Sequence, residues 1–343
     1  MPDILAPQSD ALQTLLGQPL PQDGQTMDVR GQSFVLQDGL LRSTQLATSS
    51  QRQTSDSFGF KWKRRSSYDR PVVLDAIRVW LVERYGSPES MDWLFPPGER
   101  KVLLDAGCGS GLSALELFGE HLNQVSYVGA DISEAVDVAA KRFGERGIQG
   151  QFIQSDLTKL PFADESVDAI FSEGVLHHTD STRGALASVA RLLKVGGRIM
   201  FYVYKKKSPI REFTDDFIRE KLQGMDPEQA WDALMPLTML GETLGRLNVE
   251  VDVPQAVDLL GIPAGKIDLQ RLFYWHIFKA YYRPDWSLEE MNHVNFDWYA
   301  PKNSFRQTPE EIRAWCTDLN LAIEREIVED AGVTVIARKT GSN

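Results

Sequence analysis

Residues 101–115 read KVLLDAGCGSGLSAL, and they set Asp105, Gly107, Gly109 and Gly111 at alternate positions between an apolar run and an amphipathic one. Glycines at a strand-to-helix junction permit a tight turn and let a ligand approach the backbone and the helix N-terminus. Two familiar phosphate loops do not fit. The dinucleotide fingerprint G-x-G-x-x-G would place its third glycine at position 112, which is leucine. A P-loop would need Gly-Lys-Ser/Thr after its spacer, and no such triplet follows. The carboxylate of Asp105 would also repel a diphosphate, whereas it can accept hydrogen bonds from an ammonium group.

Two further acids fall where a nucleoside ligand needs them. Asp131 ends the apolar run VSYVGAD, 20 residues after Gly111, where a carboxylate can accept both ribose hydroxyls. Asp156, in FIQSDLTKLPF, can accept from an adenine amino group, with the Leu157 N–H beside it for a ring nitrogen. Ile132 follows Asp131 and joins the expected lining. Singly, each acid is explained as a cap of the next helix. Three of them at successive strand ends, with the glycine loop, describe a site for a ligand with ribose, adenine and an amino acid but no phosphate. S-adenosylmethionine is such a ligand.

The elements that must position these residues are legible as alternation. From residue 100, short apolar strands (KVLLDAG, VSYVGADI, GQFIQSD, VDAIFSEGVL, GGRIMFYVY) alternate with helical stretches, which predicts a parallel sheet covered on both faces. Ser133 is the expected N-cap of the second core helix. The expected division is an N-terminal arm over 1–57 with a turn at Asp38-Gly39, then a linker and helix near the substrate pocket over 58–99. The Rossmann-like core spans 100–205, a mostly helical lid 206–296, and a C-terminal part completing the sheet 297–343. Within the last part, TPEEIRAWCTDLN predicts a helix capped by Thr308 with Glu311 closing a capping box. No internal repeat is evident.

The stretches LLDAGCGSG, VGADIS, QSDLTKLPFADESVDAIFSEGVLHHTD and LLKVGGRIMFYVY together resemble the class I S-adenosylmethionine-dependent methyltransferases, nearest to the ubiquinone-biosynthesis-like branch, over about residues 100–205. The resemblance implies a seven-stranded sheet whose last strand is antiparallel, S-adenosylmethionine as cofactor, and in-line methyl transfer to an O, N or C nucleophile. QTSDSFGFKW resembles a linker upstream of this domain in bacterial methyltransferases of natural-product and polysaccharide pathways. Some of those begin with a zinc-ribbon-like piece, but this chain has no cysteine before Cys108, so no metal is expected.

Methyl transfer requires an oriented nucleophile and sometimes a base. SEGVLHHTD supplies Glu173 as a cofactor contact and His177 and His178 as candidate bases, since histidine titrates near pH ~6.5. Tyr202 and Tyr204, after the fifth strand, are candidates for catalysis and substrate binding respectively. Phe60, Trp62 and Tyr282 complete the expected substrate wall, drawn from two aromatic-rich segments that equally suit plain packing. Two basic clusters, FKWKRRSSYDR and YVYKKKSPIR, read either as solvated charge or as an anion site built from Lys61, Arg64, Arg65 or Lys205.

Bulk composition narrows the class. Of 343 residues, 37 are Lys or Arg and 48 Asp or Glu, a net charge of −11 that makes nucleic acid a poor partner. Two cysteines suggest neither a disulfide scaffold nor a zinc site. No apolar run approaches a membrane span and the start lacks a signal-peptide pattern, so a cytoplasmic enzyme acting on a small molecule is expected, an anionic one if the basic clusters form a site. Rival readings are an RNA or protein methyltransferase, with an open cleft beside a basic surface, and a non-catalytic S-adenosylmethionine-binding subunit.

Overall fold

The computed structural model describes residues 11–45 and 48–341. The chain opens with helix α1 (Ala11–Leu16) and a meander of β1 (Thr26–Val29), β2 (Gln32–Gln37) and β3 (Leu40–Ser43). Helices α2 (Ser49–Lys63) and α3 (Pro71–Tyr85) follow. The alternating core runs β4 (Val102–Ala106), α4 (Leu112–Phe118), β5 (Ser126–Asp131), α5 (Ala135–Glu145), β6 (Gln151–Gln154), β7 (Val167–Glu173), α6 (Thr182–Ala190) and β8 (Leu193–Tyr204). Next comes an insertion of α7 (Pro209–Leu222), α8 (Pro227–Leu247), a hairpin of β9 (Glu250–Val253) and β10 (Gly265–Asp268), α9 (Leu269–His276) and α10 (Leu288–Tyr299). The chain closes with α11 (Pro309–Asp318), β11 (Leu321–Val328) and β12 (Gly332–Lys339).

The main sheet has the order β1-β2-β3-β6-β5-β4-β7-β8-β12-β11. Strands β4 to β8 are parallel, and β12 runs antiparallel to both β8 and β11. The seven strands from β6 to β11 therefore form the expected Rossmann-like sheet with its last strand reversed. The central strands β4, β5 and β7 are buried on both faces, as their continuous apolar runs require. Leu12, Ala185 and Ile312 bring α1, α6 and α11 onto one face. Leu81, Leu115 and Phe143 bring α3, α4 and α5 onto the other.

The sheet extends beyond the expected seven strands. The meander joins its edge, with β3 parallel to β6 through Leu41 opposite Ile153 and Arg42 opposite Gln154. Arg42 then pairs with Asp137 of α5 at 2.6 Å. The polar, four-residue strand TMDV carries too little alternation to announce this. The 57/58 division falls inside α2, and the 296/297 division inside α10. The N-cap position of α5 (Ala135 onward) is Glu134 rather than Ser133, although the Ser133 hydroxyl accepts from Ala135 N–H at 3.2 Å while donating to Asp131 at 2.7 Å. Thr308 caps α11 in a complete capping box with Glu311, as its spacing predicts.

The insertion is held by polar bonds in a buried layer. Asp215 of α7 accepts from Trp298 Nε1 at 2.9 Å and from the Tyr299 hydroxyl at 2.8 Å, which fixes the end of α10. Thr238 of α8 donates to Asn292 at 2.6 Å and accepts from Asn295 at 2.8 Å. Satisfied bonds of this kind set one register for α10 against its neighbours.

Candidate active site

The carboxyl ends of β4 to β8 open on one edge of the sheet, the usual ligand position in such folds. A cavity of about 440 Å³ lies there. Asp105, Gly107 and Gly109 line it from β4 and its loop, Asp131 and Ile132 from the end of β5, Asp156 and Leu157 from beyond β6, and Glu173 from the end of β7. Gly107 and Gly109 have φ of 91° and 50°. A Cβ on Gly107 would sit 2.2 Å from Val175 Cγ1, so the turn tolerates no side chain there. Asp131 braces the loop, accepting from Gly109 N–H at 2.9 Å and from Ser133 N–H at 2.8 Å. Asp156 accepts the N–H and the hydroxyl of Thr158 on one oxygen, and its other oxygen receives no donor from the described residues.

These acids stand in a poorly solvated pocket. Burial pushes the Asp105 carboxyl up to about 7, against the Tyr127 hydroxyl that donates to it at 2.6 Å, with Asp131 adding to the rise. Burial raises Asp131 too, opposed by the bonds from Ser133. Glu173 is pushed up to about 7 by burial, although Arg84 and the Tyr85 hydroxyl that donates to it favour its charge. A cationic ligand among these groups would recover the cost of their ionisation.

The same cavity has a second, ring-rich wall. Gln51, Thr54, Phe58 and Lys61 recur at helical spacing on one face of α2 and all line it. Tyr202 and Tyr204 line it from β8, Trp62 from the end of α2, and Trp80 from α3. The insertion contributes Tyr274, Lys279, Tyr281 and Trp286 ahead of α10, then His293 and Asp297 four residues apart on α10. Asp297 binds the Lys61 ammonium on one oxygen and the Tyr204 hydroxyl on the other, at 2.8 Å for the latter. Burial opposes ionisation of Asp297, but Lys61 holds its carboxyl well below the usual range. His178 lines the cavity with Nδ1 2.7 Å from the Asn303 carbonyl. That contact places the ring proton on Nδ1, and Nε2 has no partner among the described residues. Burial lowers His178 to about 4, so the ring is neutral at physiological pH.

The methyltransferase-domain family model matches residues 104–201, the stretch that builds the glycine loop and the strand ends. The uncharacterized methyltransferase YodH of Bacillus subtilis is 34% identical over 180 residues, covering 47% of this chain and 73% of that protein. The chain belongs to the class I S-adenosylmethionine-dependent methyltransferases. The uncharacterized methyltransferase YcgJ of the same organism is 28% identical over 174 residues, 48% of this chain and 67% of that protein. The O-methyltransferase cnsE of Penicillium expansum is 36% identical over 107 residues, covering 30% of this chain and 38% of that protein.

S-adenosylmethionine is the methyl donor of this methyltransferase, and the residues present fit it. The strand ends contribute carboxylates and no lysine or arginine, which suits a ligand with sulfonium and ammonium charges and no phosphate. Asp131 and Asp156 would hold the ribose and adenine, and Asp105 or Glu173 would face the cationic groups.

Several expected site residues lie elsewhere. Gly111 caps α4 at φ 71° and packs toward Phe143, away from the cavity lining. His177 is wholly buried and its ring lies 3.7 Å from that of Tyr204, with neither nitrogen partnered among the described residues. It therefore packs the floor beneath Tyr204 rather than facing a ligand. Phe60 faces away from the lining because α2 turns it toward Trp231 and Phe296, with ring centroids 6.2 and 5.6 Å away. Tyr282 packs flat over Gly245 of α8, where a Cβ would meet its ring at 2.1 Å, and Tyr281 takes the lining position. Of the basic candidates only Lys61 reaches the cavity. Arg64 lies over the Trp231 ring at 4.5 Å, Arg65 pairs with Asp69 and Glu145, and Lys205 pairs with Asp330. Lys279, Asp297 and, Lys61 apart, the α2 face were not singled out in the sequence. The i, i+4 pair His293 and Asp297, on a helix with aromatic neighbours, was the available signal.

Proposed function

We propose that this methyltransferase acts on a small, largely flat molecule of a biosynthetic pathway, on the ubiquinone-biosynthesis-like side of its family. The observation that carries the reading is the ring-rich wall: Phe58, Trp62, Trp80, Tyr274, Tyr281 and Trp286 face one cavity together with the donor residues. Sites for small molecules are concave, largely apolar and furnished with a few placed polar groups. The bound donor supplies a methyl group on a sulfonium. The chain's part is to seat the acceptor between the rings, exclude water, and take its proton where the acceptor has one to lose. His178 lines the cavity, and its Nε2, buried and without a partner among the described residues, is the candidate for that proton once the acceptor is seated against the ring, while Tyr202 and Tyr204 orient the acceptor.

A macromolecular acceptor is less well supported. Most cations of the basic clusters are held in ion pairs, as Lys63 with Glu134, Arg70 with Glu290, Lys206 with Glu311, and Arg211 with Asp215, while Arg64 lies over Trp231 and Lys207 donates to backbone carbonyls. Little free positive surface is left for a phosphate backbone. The open cavity also favours turnover over a binding-only subunit. Among the described residues no helix is long and apolar enough to cross a membrane. The reading is tested with methyl-labelled S-adenosylmethionine, the protein and a size-fractionated cell extract. Label in the small-molecule fraction is expected, and label confined to RNA or protein would overturn it.

A further inference from the structure

Lys279 follows α9 on an irregular stretch and is 7% exposed, yet it lines the cavity. Its backbone N–H donates to Tyr299 at 2.8 Å, and its ammonium lies over the Trp298 ring at 4.7 Å. That ammonium makes no hydrogen bond or ion pair with the described residues. The neighbouring charges are already matched. Asp297 gives its two oxygens to Lys61 and Tyr204. Asp215 holds Arg211 as well as Trp298 and Tyr299. Lys207 donates to the backbone carbonyls of Asp330 and Ala331. Lys207 thus has carbonyl partners but no counter-ion, whereas the Lys279 ammonium has neither among the described residues, and Lys279 lines the chamber where the acceptor must sit. Isolated buried charges are costly and are normally paired, so an unpaired one at a ligand site marks where the ligand brings the opposite charge.

We propose that Lys279 is the counter-ion of the acceptor, and that the acceptor is an aromatic carboxylate. The proposal rests on the small-molecule reading and names the substrate class within it. A single uncompensated cation matches a monoanion better than a phosphate dianion. The Trp298 face beneath the ammonium keeps it from bulk water, where a carboxylate bond to it is strong. Burial pushes Lys279 down to about 7, with Asp297 opposing and Arg211 adding to the fall. An arriving carboxylate would restore its charge.

The test is calorimetric titration of the full chain, saturated with S-adenosylhomocysteine, against two matched probe series: benzoate, 4-hydroxybenzoate and anthranilate, and the corresponding neutral amides. Wild type is expected to prefer the carboxylates by roughly tenfold to a hundredfold. Lys279→Met should abolish that preference, and Lys279→Arg should keep most of it. Lys279→Met should melt no lower than wild type, since it removes a buried charge that lacks a partner. Equal binding of both series to wild type, or a preference that survives in Lys279→Met, would overturn the proposal and leave a small-molecule site standing. Failure of every probe in both series to bind would overturn the aromatic-carboxylate proposal, while the small-molecule reading is judged by the fraction that takes the methyl label.

Discussion

The Tyr204 hydroxyl donates to Asp297 at 2.8 Å, and this bond ties the carboxyl end of the central sheet to the last helix of the insertion. The other Asp297 oxygen holds Lys61 of α2. Three elements remote in sequence therefore meet on one carboxylate in the cavity wall.

Replacing that carboxylate should loosen the chamber. Asp297→Asn is expected to destabilise the protein by about 1–3 kcal/mol, because Lys61 is left buried without its charge partner. The Asp297 carboxyl is held below its ordinary value, so its contribution is present above the unfolded value of about 4 and is lost as pH falls. Chemical denaturation across pH should show the gap between wild type and variant closing in acid.

Asp131 carries the ribose in this account while also bracing Gly109. Asp131→Asn keeps an acceptor for the loop but removes the charge. Calorimetry should show S-adenosylhomocysteine affinity falling about tenfold to a hundredfold, with a change in Tm of only a few degrees. An unchanged affinity would remove Asp131 from the donor site.

Donor binding should strengthen as pH rises toward neutrality. Asp105 and Glu173 are both raised to about 7 by burial, so below that pH they are largely protonated and offer no charge to a cationic ligand. The sign for the unliganded fold is opposite. It binds more protons than the unfolded chain between about pH 4 and 7, so these two groups make it less stable as pH rises through that window. The thermal shift produced by S-adenosylmethionine should therefore widen from pH 5.5 toward 8, on the order of one pKa-sized step per group. In Asp105→Asn the widening should shrink.

The two adjacent histidines should separate cleanly. His178→Ala is expected to lower kcat by roughly a hundredfold or more for an acceptor that loses a proton, with donor affinity nearly unchanged. His177→Phe keeps a ring beneath Tyr204 and should retain most turnover, any loss tracking its effect on Tm. Equal and severe loss of kcat in a well-folded His177→Phe would place His177 in the chemistry.

The strand-end half of the cavity was legible because its residues lie within local strand-loop-helix units. The spacing of Asp105, Gly107 and Gly109, with Asp131 and Asp156 at the next strand ends, brings them to one edge once the strands are parallel. The ring-rich half depends on long-range packing. The α2 face of Gln51, Thr54, Phe58 and Lys61 has no apolar period, since polar residues are buried there for the sake of the cavity. The choice of Tyr281 over Tyr282 turns on an irregular segment where adjacent side chains point opposite ways. Gly245 decides the matter from a distant helix. At the sheet edge the turn at Asp38-Gly39 between β2 and β3 was legible, but β1 and the parallel join of β3 to β6 were hidden by short strands with little alternation.

The most direct test of this account is a crystal structure of the protein with S-adenosylhomocysteine. The prediction is that the ribose hydroxyls rest on Asp131, the adenine lies by Asp156 and Leu157, and the sulfur faces the chamber bounded by His178, Tyr204 and Lys279. A ligand seated elsewhere, or with its sulfur turned to open solvent instead of that chamber, would contradict it.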